Sequence, residues 1–227
     1  MLTDREHGVD RELFFVDRRD AGVALAAALQ RFRSSDVVVL GLPRGGVPVA
    51  AEVARRLDAE LDVIVARKLG SPDSPELAIG AITADGERVL NEDVIGLLGV
   101  SPAYLEAVSS AQQAEARRRE TRFRGGRPAP RITGRTVVLV DDGLATGATM
   151  RAAVRAVRKR GPSRLVVAVP VGSPDACRAL RAEADEVVTL GEPEYFTAVG
   201  SFYRDFRQVE DTEVQRLLEE RAPASAT

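Results

Sequence analysis

The chain has 227 residues, 44% hydrophobic and 29% charged, with a net charge of −2. That balance excludes a disordered chain, a membrane-spanning bundle and a nucleic-acid binder relying on bulk positive charge. A chain of this length buries roughly 70–75% of its unfolded surface, so it needs no metal or disulfide staple. Its one cysteine, Cys177, cannot make an internal disulfide, which suits a reducing cytoplasm. No apolar run approaches the roughly 20 residues of a bilayer span, and Met1 to Asp10 is polar with no signal-peptide pattern. A cytoplasmic globular enzyme or ligand-binding domain is the expectation, with neither nucleic acid nor membrane as a partner.

In chain order, Asp20 can cap a helix over Ala21–Phe32, and the apolar run Asp36–Gly41 reads as a first strand. A glycine-rich turn and a helix over Val47–Leu57 lead to a second strand, Leu61–Ala66. Arg67–Pro75 reads as a polar loop, and Ala78–Leu90 as a hairpin turning at Ala84-Asp85-Gly86. Helices follow over Glu92–Leu98 and Pro102–Arg122. Strands at Arg135–Val140, Arg164–Pro170 and Glu186–Leu190 alternate with helices over Thr149–Arg160 and Pro174–Ala184. Near-continuous apolar strands alternating with helices predict βαβ units, hence a doubly wound α/β fold. The expected architecture is a mainly parallel five-stranded core with an inserted hairpin and helical middle and a small C-terminal hood. No repeat or long linker divides residues 1–227, so one domain is expected.

Residues 115–135 carry eight arginines against two glutamates. Such a run reads as a solvated helix end with its connector; the sharper alternative is a surface for phosphates or an acidic neighbour.

The strongest motif spans residues 137–149, where VVLV runs into Asp141, Asp142, Gly143, Leu144, Ala145, Thr146, Gly147, Ala148 and Thr149. A strand ending in two carboxylates and a Gly/Thr turn opening a helix lies where open α/β sheets bind ligands. The turn aims backbone N–H groups and two hydroxyls at one spot, which suits a phosphate. Adjacent carboxylates accept from a vicinal diol. Phosphate and diol together describe a ribose 5-phosphate. No G-x-x-x-x-G-K-[ST] is present, and no G-x-G-x-x-G follows the first strand.

Residues 137–149 resemble the signature by which type I phosphoribosyltransferases bind 5-phosphoribosyl-1-pyrophosphate (PRPP), and the compatible βα pattern covers about residues 20–190. The resemblance implies that Asp141 and Asp142 hold the ribose hydroxyls while Ala145 to Thr149 wrap the 5′-phosphate. Position 143 is usually aliphatic in that family, and Gly143 is a departure expected to loosen the turn. The turn after the first strand, with Arg44, Gly45 and Gly46, is similar to the family's pyrophosphate grip, often made through a strained peptide. Ala66-Arg67-Lys68 is similar to the Arg-Lys preceding the mobile catalytic loop, expected over about 67–80. Lys68 would neutralise the leaving group, with Arg44, and Glu76 would face the base. Mg²⁺ is the implied cofactor, arriving on the pyrophosphate and touching Asp141 or Asp142.

A hood choosing the acceptor is expected over about 191–210, which holds five of the ten aromatics. Tyr195 and Phe196 are its candidate stacking rings for a nucleobase; core packing under a C-terminal helix is the plainer reading. His7 and Cys177 are expected to take no part in chemistry. The implied activity moves ribose 5-phosphate from PRPP to a nitrogenous small-molecule acceptor. A non-catalytic sensor of PRPP or a nucleotide is the alternative, and a homodimer is compatible with either.

Overall fold

The computed structural model describes residues 13–33 and 35–221; His7 and the polar N-terminal arm lie outside them. The apolar runs fold into five parallel strands, β1 (Val37–Gly41), β2 (Glu60–Val63), β6 (Thr136–Val140), β7 (Arg164–Val171) and β8 (Glu186–Gly191), ordered β2-β1-β6-β7-β8. Strand alternation sends Val37 and Val39 to one face and Val38 and Leu40 to the other, so each layer acquires its own core. One layer holds α1 (Arg18–Ala28), α2 (Gly46–Leu57), α7 (Asp211–Glu219) and the end of α4 (Pro102–Arg124). The other holds α5 (Ala148–Lys159) and α6 (Pro174–Arg181). From β1 the winding proceeds to β2 on one side, and from β6 to β7 and β8 on the other. The order therefore reverses between β1 and β6, whose ends lie in register at Gly41 and Val140. That reversal opens a crevice at the carboxyl ends of both strands.

The middle of the chain forms a second, antiparallel sheet of β3 (Ala66–Gly70), β4 (Ala78–Thr83) and β5 (Arg88–Leu90). One face packs Ala66 and Ala81 against Ala148 and Ala152 of α5. The other packs Leu69, Ile79 and Ile82 beneath α3 (Glu92–Leu97) and α4.

The second expected strand, Leu61–Ala66, is thus split, with Ala66, Arg67 and Lys68 opening a different sheet. Side chains of α4 hold the segment as it leaves the parallel sheet. Arg124 donates from Nε to Asp62 Oδ2 at 2.8 Å and from Nη2 to the Val63 carbonyl at 2.9 Å. Glu120 accepts the Val65 N–H at 2.9 Å. These side chains hold the outer edge of β2, while the ladder to β1 ends where Ile64 N–H donates to the Gly41 carbonyl at 3.2 Å, since the next donor on that side would be Pro43, which has no N–H. The expected mobile loop over 67–80 shrinks correspondingly to a connection over 71–77, tied by Ser71 Oγ donating to the Ser74 carbonyl at 2.8 Å.

The arginine-rich run is neither a bare solvated end nor a free basic surface. Arg118 and Arg119 pair with Glu115, Arg122 with Asp211, Arg124 with Asp62 and Glu120, and Arg135 with Asp36 and Glu60. These acids lie on several elements, so the run ties α4 and its connector to β2 and α7.

Asp62 and Arg124 are the most enclosed of these pairs, at 8% and 12% side-chain exposure. Burial pushes the Asp62 carboxyl up and Arg124 opposes it. Arg124→Ala leaves that carboxylate buried without its partner, so the unfolding free energy should fall by about 3–5 kcal/mol in urea titrations at neutral pH. The loss should narrow under acid conditions, where Asp62 is protonated.

Candidate active site

Two turns meet at the crevice, one joining β1 to α2 and one joining β6 to α5. Leu42 N–H donates to the Val140 carbonyl at 2.9 Å, and the Pro43–Arg44 peptide is cis. A methyl group on Gly45 would overlap Asp142 Oδ2, and one on Gly46 would sit 2.7 Å from the Val140 carbonyl oxygen. Both glycines are required by the contact between the turns, whatever else they do.

Asp142 N–H donates to Asp141 Oδ1 at 2.8 Å. Burial, and then the Asp142 charge, push the Asp141 carboxyl well above the ordinary carboxylate range. Burial also raises Asp142, against an opposing pull from Arg18. Arg18 Nε donates to Asp142 Oδ2 at 2.7 Å, and the Tyr203 hydroxyl donates to the Asp142 backbone carbonyl at 2.6 Å. Burial holds that phenol far above its usual value, so it remains a donor.

Beyond the carboxylates the chain is anchored to β7. Leu144 N–H reaches the Val171 carbonyl at 2.9 Å, and Ser173 Oγ donates to the Ala145 carbonyl at 2.6 Å. Gly147 then takes φ +73°, a left-handed conformation that suits glycine, and caps α5. The N–H groups of Ala145, Thr146, Gly147, Ala148 and Thr149 have no acceptor among the described residues. Ala145 and Thr146 are exposed. This is an anion-binding geometry, backed by the positive end of α5. Gly143 does not loosen the turn as expected: a methyl group there would lie 2.6 Å from Val199 Cγ1. The valine from a remote 3₁₀ turn fills the space that an aliphatic residue at 143 would occupy.

The other candidates are dispersed. Lys68 donates to both the carboxylate and the carbonyl of Glu76 at 2.9 Å, and that partner lowers the Glu76 carboxyl. Their strand pairing puts Lys68 opposite Ala81, on the sheet face that packs against the first turns of α5. Arg44 turns toward the C-terminal segment, with Nη1 3.6 Å from Asp211 Oδ1 and 4.0 Å from Glu210 Oε2. Tyr195 is 87% exposed, while Phe196 packs on Phe202 with ring centres 5.4 Å apart. Cys177 is buried, its thiol pushed up to about 11 chiefly by burial, as a packing residue should be. Among the described residues no group of three or more His, Cys, Asp or Glu could hold a metal by itself, and no helix is long and apolar enough to cross a membrane.

Arg18 was the residue missed. The helix begins three residues earlier than Ala21 because Asp17, rather than Asp20, supplies the N-cap, accepting from Asp20 N–H at 2.8 Å.

Asp141 ionises at a cost to the folded state. Its raised carboxyl binds a proton more readily than in the unfolded chain, so this residue's contribution to stability falls as pH rises past the ordinary carboxylate value. Asp141→Asn keeps an oxygen for the Asp142 N–H and removes the repulsion. Its melting temperature, without ligand at neutral pH, should rise by roughly 2–4 °C for each kcal/mol relieved. The gain should vanish toward acid pH.

A model of the phosphoribosyl transferase domain matches residues 20–207. Two Mycobacterium tuberculosis proteins, "Putative phosphoribosyl transferase Rv0571c" of strain H37Rv and its counterpart MT0597 of strain CDC 1551, are each 52% identical over 205 residues. The match covers 90% of this chain but 46% of either relative, so the chain spans about half their length. The crystal structure of TT1426 from Thermus thermophilus is 50% identical, with a TM-score of 0.78 over 92% of this chain and 100% of that one.

Proposed function

The chain belongs to the type I phosphoribosyltransferase family, and from that premise we propose that it transfers ribose 5-phosphate from PRPP to a nitrogenous acceptor, a nucleobase by preference, releasing pyrophosphate. The observation carrying this reading is the pairing of two carboxylates with five unsatisfied N–H groups across one turn. The carboxylates suit the ribose diol and the N–H groups suit its 5′-phosphate.

The turn would fix the phosphate and the carboxylates the sugar, holding C1 toward the crevice. As the bond from C1 to pyrophosphate breaks, charge grows on the departing oxygens and the ribose becomes oxocarbenium-like. Lys68, freed from Glu76, and Arg44, freed from Glu210 and Asp211, are the cations that would meet that charge. The connection over 71–77 would exclude water from the activated sugar. Glu76 and the rings of Tyr195 and Phe196 remain the candidates for facing the acceptor. Two carboxylates fit Mg²⁺ carried in on the pyrophosphate, since that ion keeps most of its waters and needs few protein ligands. When bound, it would neutralise charge on the leaving group.

A non-catalytic sensor on the same fold is the second reading, and the tie between Arg44 and the C-terminal acids favours it. Labelled PRPP incubated with a panel of bases separates the two: transfer of label to a base is expected, while tight binding without any transfer would establish the sensor.

Asp141→Asn combined with Asp142→Asn should weaken PRPP binding by about 2–4 kcal/mol, from a typical 1.5–3 kcal/mol for each charged hydrogen bond added incompletely. Calorimetry giving unchanged affinity in the folded double variant would remove the ribose assignment.

A further inference from the structure

Arg18 is built into the site more firmly than a surface cation requires. Its Nε donates to Asp142 Oδ2 at 2.7 Å, and its Nη1 donates to the Arg207 carbonyl at 2.7 Å. Its guanidinium lies 3.8 Å over the Phe206 ring, and its side chain is only 11% exposed. Tyr203 fixes the backbone end of Asp142, and its own ring lies 5.1 Å from that of Phe206. Residues from both ends of the described chain therefore converge on one carboxylate in the middle of the motif.

A carboxylate has two oxygens, with about four lone-pair sites between them. Arg18 commits Oδ2, and the Gly45 backbone packs against that same oxygen. Expelling the guanidinium from this contact would strand a cation among desolvated partners, a costly outcome. The interaction is thus suited to persist while ligand binds.

We propose that Arg18 is a positioning residue for donor recognition: it pins one oxygen of Asp142 and turns the other toward a ribose hydroxyl. The proposal rests on the ribosyl-transfer reading above. It assigns Arg18 no contact with ligand; its hydrogen bond is to Asp142, while Asp141, serving the neighbouring hydroxyl, feels only its charge. The planar fork and the stack on Phe206 are what hold the angle, so lysine is an incomplete substitute.

Calorimetric titration of ribose 5-phosphate and its 2-deoxy and 3-deoxy analogues, each lacking one hydroxyl, tests this. The wild-type protein should prefer ribose 5-phosphate over each analogue by roughly 10-fold or more, the worth of a hydrogen bond to a charged group. In Arg18→Gln, discrimination against one analogue should collapse to within about 2-fold, while discrimination against the other holds. Arg18→Lys should restore part of the lost ratio. Phe206→Leu keeps the charge but removes the stack, and should lower the same ratio by a smaller factor even if Arg18→Gln does not fold. Both ratios unchanged in the folded variants, or both falling together as from general loosening, would overturn the inference and leave the ribose reading standing. Wild-type protein blind to both missing hydroxyls would overturn the ribose reading, and the inference with it.

Discussion

The contact between Gly45 and Asp142 sets the terms for everything around it. The two turns at the reversal of strand order approach so closely that a single methyl group on Gly45 would collide with a carboxylate oxygen. Closeness on this scale half-buries the carboxylates, which pushes both up from their ordinary range, and the Asp142 charge pushes Asp141 further. The folded state carries this cost. A half-buried like-charge pair at the end of a central strand is poor structural design, and such pairs cluster at functional sites.

That cost is countered by residues brought from both sequence ends. Phe15 bridges to Tyr203, with ring centres 5.5 Å apart, and this joint delivers Arg18, Tyr203 and Phe206 to the back of Asp142. The segment over 191–210, expected as an acceptor hood, is seen here as a buttress. Val199 fills the space beside Gly143, Tyr203 holds a carbonyl and Phe206 supports a guanidinium. Tyr195 is the most exposed ring of the segment.

The parallel core was legible because strands buried on both faces must be apolar without interruption, and VVVLG, VVLV and LVVAV carry that requirement in plain form. The motif over 137–149 was legible for a similar reason, since phosphate turns and adjacent carboxylates are local in sequence. What escaped was nonlocal. The run from Leu61 to Ala66 looks like one strand, but its ladder ends at Ile64 opposite Pro43, and Arg124 and Glu120, some 55 to 62 residues away, hold its outer edge. Asp17 and Asp20 are equally good caps by composition, so the helix start, and Arg18 with it, was undetermined. Arg44 was assigned correctly to its turn, but its side chain follows acids over 160 residues distant. The arginine-rich run showed charge without revealing its partners.

The most direct measurement is of the five N–H groups from Ala145 to Thr149. In an ¹⁵N-labelled sample they can be followed one by one as ribose 5-phosphate is added. A ligand held by this turn should shift all five resonances together with those of Asp141 and Asp142, saturating on a common binding curve. Shifts confined to other parts of the chain, with these seven resonances unmoved at saturation, would contradict a ribose phosphate site at the reversal between β1 and β6.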